Sequence, residues 1–116
     1  MPPGTVKVVD FTLIGQRLQA MSAGKHDDFN GSISITVLCR NQKELDRYWK
    51  ALLRGGGKPV ACGWLIHRYG VRWQVVPEVL EAMMRDRNRA RSKRATDAML
   101  TMVKFDIAKL KKAWRG

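Results

Sequence analysis

Along residues 32–40, SISITVLCR, apolar and polar positions alternate. Ile33, Ile35, Val37 and Cys39 fall on one side, and Ser32, Ser34 and Thr36 on the other. A period of two marks a strand with one face in a core. The opposite face is polar but uncharged, which suits solvent or a cavity. The period then changes. Asn41 stands where a helix N-cap is expected, with Glu44 three residues on to complete a capping box. Leu45, Tyr48, Trp49, Leu52 and Leu53 form one apolar stripe at helical spacing, and Gly55 to Gly57 end it.

The same reading extends in both directions. Residues 5–14, TVKVVDFTLI, are apolar on both sides, as in a strand covered on both faces. Gly15-Gln16 offers a two-residue turn into RLQAMS, where Leu18 and Ala20 alternate with polar neighbours. Residues 23–31 are a polar, glycine-bounded loop. Strands are expected over 61–67 and 71–76, joined near Arg68-Tyr69-Gly70. Pro77 suits the start of a helix bearing Val79, Leu80, Met83 and Met84. A further helix carries Ala95, Ala98, Met99, Met102 and Val103. VKFDI, residues 103–107, reads as a short strand, and Asp106 as the cap of a last helix with Ile107, Leu110 and Trp114 on one face. Strands with helices alongside, in 116 residues, predict a single α+β domain.

Charge adds a second feature. The net charge is +12, and it is uneven: residues 1–84 hold 11 basic and 7 acidic side chains, residues 85–116 hold 11 and 3. Arg85, Arg87, Arg89, Arg91, Lys93 and Arg94 carry most of the excess. Such a run either solvates a helix face or attracts nucleic acid. No apolar stretch is long enough for a membrane helix, and the first residues lack a secretory leader. Cys39 and Cys62 sit in apolar contexts and read as reduced thiols, so the chain is expected in the cytoplasm.

Candidate chemistry is sparse. His26 and His67 have no partner at metal-ligand spacing, and the two cysteines match no zinc pattern. No spacing places a catalytic nucleophile beside a base. The glycine run follows a helix rather than opening one, so it is no phosphate loop. No metal or cofactor is expected. Trp64 and Trp73 supply either core area or the walls of an apolar pocket, with Ser34, Thr36 and Gln74 as polar groups.

Several elements together resemble a known family. They are Phe29-Asn30, Tyr48-Trp49, the glycine run, Cys62-Gly63-Trp64, Gly70-Val71-x-Trp73-Gln74-Val75-Val76-Pro77, Ala98-Met99-Leu100 and Asp106-Ile107. This set is similar to PhnB-like proteins of the vicinal oxygen chelate superfamily, the glyoxalase and bleomycin-resistance group. Many members are labelled 3-demethylubiquinone 3-methyltransferases. The resemblance implies paired βαβββ modules around a cavity. Residues 32–107 would be the second module, residues 5–22 the last hairpin of the first, and 108–116 a C-terminal helix. Catalytic members hold a metal with His, Gln or Glu on the first and last strands of their modules. Here those strands offer Ser34, Thr36, Lys104 and Asp106, so no metal site is implied.

The resulting expectation is a small-molecule-binding protein, its enzymatic status open, with Ser34, Thr36, Trp64, Trp73 and Gln74 around a quinone-like or other aromatic ligand. The alternatives are a nucleic-acid-associated protein acting through residues 85–94, or an inactive truncated relative. The apolar N-terminal strands further predict a homodimer in which they pack on the partner chain.

Overall fold

The computed structural model describes residues 7–22, 24 and 27–116. His26, and the first two residues of the strand expected over 5–14, lie outside them.

Two strands, β1 (Lys7–Leu13) and β2 (Gln16–Ser22), form an antiparallel hairpin. The turn is Ile14-Gly15, one residue earlier than expected, and both residues have positive φ, 49° and 75°. That conformation matches the right-handed twist of the flanking strands, which is why it displaces a turn opening on the glycine. The strand is not covered on both faces either: every residue of β1 and β2 is exposed. Register explains the pattern. Val9, Phe11 and Leu13 lie with Leu18 and Ala20 on one side, and Asp10, Thr12, Arg17 and Gln19 on the other. There the Gln19 amide donates to Asp10 (2.9 Å).

The body is a four-stranded sheet in the order β3-β6-β5-β4. Its elements are β3 (Ser34–Cys39), α1 (Gln42–Leu53), β4 (Lys58–Pro59), β5 (Trp64–Ile66) and β6 (Arg72–Pro77). This βαβββ succession closes at Pro77. β3 lies parallel to β6, with Ser34 opposite Arg72, and β4, β5 and β6 are antiparallel. Asn41 caps α1 as expected, its side chain accepting from the Glu44 amide (2.9 Å). The Glu44 carboxylate turns back to the N–H and guanidinium of Arg40.

Three helices follow: α2 (Glu78–Met84), α3 (Arg89–Met99) and α4 (Ile107–Arg115). Asn88 caps α3 and Asp106 caps α4 through side-chain oxygens. The short strand expected at 103–107 does not form. Instead Met102 and Val103 accept two backbone bonds from Cys62 and Gly63 (2.8 Å each), and the chain then turns straight into α4. Gln42 on α1 fixes that turn, donating to Phe105 O (3.0 Å) and accepting from Ile107 N (2.8 Å). The core unites Cys39, Leu45, Trp49, Leu65 and Val75 with Leu80, Met83, Ala95, Phe105 and Leu110. This is an α+β fold with a glyoxalase-like module and C-terminal helices.

Candidate functional site

The alternation of β3 and β6 gives the sheet two unlike faces. Val37, Cys39, Leu65, Trp73 and Val75 share one face and pack with Leu45 and Trp49 of α1. Ser34, Thr36, Leu38, Trp64, Arg72, Gln74 and Val76 share the other. Trp73 is thus separated from the other four expected site residues and spends its area on the core. The Gln74 amide donates to Ser34 Oγ across the two strands (2.8 Å), so the polar pair expected from the sequence comes together on the face away from α1.

Two concavities flank that pair. One, about 300 Å³, is lined by Thr36 and Gln74 together with Cys62, Val76, Glu81, Met84, Met99 and Phe105. The other, about 460 Å³, lies where β3 and β6 begin, under the loop at Asp28–Asn30; Ser34 and Arg72 are among its walls. Both are mostly apolar with a few polar groups, the usual character of small-molecule sites. Trp64 shares their face but lines neither.

Arg72 and Glu81 are not among the residues expected at the site, and Cys62 is expected only as a reduced thiol in an apolar context. Arg72 was hidden in the apolar-looking run Val71 to Pro77, although its even spacing from Gln74 already assigned it to the same face. Cys62 has a left-handed backbone, φ 58°. The Cys62-Gly63 turn replaces the start of the strand expected from residue 61. Cys39, fully buried on the other face, has its thiol pushed up to about 11 by burial, then by Glu44 and Glu78. It is therefore a protonated packing group.

Two of the four positions where the resemblance puts metal ligands, Lys104 and Asp106, are otherwise employed. Lys104 pairs with Asp46 (2.9 Å), and Asp106 accepts from the Lys109 amide. His67 accepts from the Tyr69 amide through Nδ1. Among the described residues no three His, Cys, Asp or Glu side chains gather as a metal site.

The basic run is partly structural. Arg94 donates to the carbonyls of Ala113 and Trp114 (3.0 Å each) and so closes the end of α4. The Arg91 guanidinium stacks on the Trp114 ring (4.9 Å). Trp114 donates from its indole N–H to Asp86 (2.9 Å), and Lys93 pairs with Asp97. Arg85, Arg87 and Arg89 are exposed. No helix among the described residues is long and apolar enough to cross a membrane.

Compared with known families, residues 1–76 match a family model described as 3-demethylubiquinone-9 3-methyltransferase. The match takes in the hairpin and stops at Val76, one residue before the βαβββ succession closes. No curated protein matches the chain.

Proposed function

The chain belongs to the 3-demethylubiquinone-9 3-methyltransferase family, and from that premise we propose that it binds an aromatic or quinone-like small molecule on the sheet face bearing Ser34, Thr36, Trp64 and Gln74. The observation that carries this reading is the Gln74–Ser34 pair. It is a polar anchor on a face away from the α1 core, beside one apolar concavity that Thr36 and Gln74 line and another that wraps the start of β3, where Ser34 and Arg72 meet Ile33 and Ile35 of the opposite face. A bound carbonyl or hydroxyl would exchange one amide bond for another there, at little net cost. The test is a thermal-shift and calorimetric screen of naphthoquinones. Ser34→Ala and Gln74→Ala should weaken any binder about fivefold or more while leaving the unliganded melting temperature nearly unchanged, since each loses a single partly exposed hydrogen bond. Affinity unmoved by both variants would refute the assignment. The basic run supports a nucleic-acid role less well, because Arg91 and Arg94 are engaged with α4.

The same proposal includes a homodimer. The hairpin presents Phe11, Leu13 and Leu18, with 43%, 55% and 40% of their surface exposed, and a lone two-stranded hairpin is marginal in water. Covering the exposed half of four such side chains, Val9 included, contributes about 4 kcal/mol per hairpin. Sedimentation at micromolar concentration should give a dimer. Phe11→Asp should return it to a monomer with an unchanged helical circular-dichroism signal; a wild-type monomer would refute this part.

A further inference from the structure

The Arg72 side chain lines the 460 Å³ pocket. Its Nη1 donates to two backbone carbonyls, Phe29 O and Gly70 O (2.8 Å each). These bonds hold the guanidinium against the loop and fix its plane. They use one nitrogen of a group with five donor hydrogens. Among the described residues, Nε and Nη2 donate to nothing, and no carboxylate lies within ion-pair distance of the group. The residue is half-buried, and its charge is permanent. A fixed cation with unspent, parallel donors beside an open apolar concavity is the arrangement that recognises a carboxylate or similar oxyanion.

The surroundings define the rest of the ligand. Phe29, Ile33, Ile35 and Val71 make the pocket apolar, while Asn30 and Ser34 add neutral polar groups. Asp28 also lines it. That carboxylate sits beyond ion-pair distance from Arg72, so it opposes an anion rather than replacing one. We propose that Arg72 is the anion-binding residue of this site, and that the molecule it takes is an organic anion, one carboxylate-like group on a compact apolar or aromatic body. The proposal rests on the reading that this sheet face binds small molecules, and it narrows the class of molecule.

The experiment compares 1-naphthoate with neutral 1-naphthalenemethanol, by calorimetry on the full chain. The carboxylate should bind at least about tenfold more tightly, the worth of one charge-assisted hydrogen bond. Arg72→Gln should erase that preference and leave the alcohol's affinity in place. Asp28→Asn should enlarge the preference. A Lys109→Gln/Lys112→Gln variant, which alters the basic C-terminal surface, should not change it. A preference that survives Arg72→Gln, or that falls with the lysines, would show general attraction to a cationic protein and overturn the proposal. Equal binding of both probes, weakened by Gln74→Ala, would overturn the anion class and keep the small-molecule reading. Binding of neither probe would overturn both.

Discussion

Gly63→Ala tests how the sheet is joined to the C-terminal segment. Gly63 is buried, with φ 78°, and its backbone is pinned on both sides: its N–H donates to Val103 O and its carbonyl accepts from Val75 N (2.8 Å each). A Cβ there would stand 2.9 Å from Phe105 Cδ2 and 3.0 Å from Val75 O. Phe105 is itself 1% exposed and packed in the core. The left-handed backbone costs an alanine about 1–3 kcal/mol, and overpacking the fixed ring adds about 1–3 kcal/mol. A loss of about 2–6 kcal/mol is therefore expected, a large part of a typical domain's total of about 5–15 kcal/mol. The control is Gly56→Ala. There φ is 114° but a Cβ meets nothing within 4 Å, so only the backbone cost applies. Urea unfolding followed by tryptophan fluorescence, at fixed protein concentration, gives both values. Phe105→Leu should relieve Gly63→Ala, making the double variant less damaged than the sum by about 1 kcal/mol. Equal losses at Gly63 and Gly56, or strict additivity with Phe105→Leu, would refute the steric argument.

Arg94→Ala should destabilise the protein by about 2–3 kcal/mol by removing two charge-assisted bonds to the end of α4, seen as early loss of the near-ultraviolet signal of Trp114. Arg94→Lys should recover less than half of that, since an ammonium cannot reproduce the planar fork. Gln42→Ala leaves Phe105 O and Ile107 N without the partner that joins them to α1 and should cost about 1–3 kcal/mol, with faster amide exchange at Ile107. For Cys39, the folded state holds the proton up to about 11 from an ordinary 9.0. The unfolded chain releases it first, so this contribution is complete below pH 9 and is lost as pH rises towards 11. Chemical denaturation of wild type and Cys39→Ala across that window checks the sign: only the wild type should lose this increment.

The legible parts of the sequence were those governed by local rules. The Asn41 cap and its apolar stripe fixed α1, Asp106 announced α4, and alternation assigned Ser34 and Thr36 to one face. The illegible parts depended on distant partners. Lys58-Pro59 is too short for any period, and it is a strand because Leu65 and Ile66 lie opposite. The 103–107 segment has strand composition, but its backbone bonds stop after Val103 and Gln42 draws it into a helix. Trp73 was grouped with Gln74 although adjacent residues on a strand face opposite ways. That separation was available from spacing; which side α1 would cover was not. Arg91 and Arg94 read as charge, and only the docking of α4 reveals them as packing groups.

The parallel pairing of β3 with β6 has a kinetic consequence. Each residue of β3 lies opposite one 38 positions later, from Ser34 and Arg72 to Cys39 and Pro77. The β5–β6 hairpin spans a few residues and can zip locally, whereas β3 must wait for a long loop to close. β3 is therefore expected to dock late in folding. It is also an edge strand, bonded on one side only, so its amides should be among the first in the sheet to exchange with solvent. On this order the Ser34 hydroxyl and the Gln74 amide meet only when the last strand docks, and the proposed binding face should assemble at the end of folding and loosen at the start of unfolding.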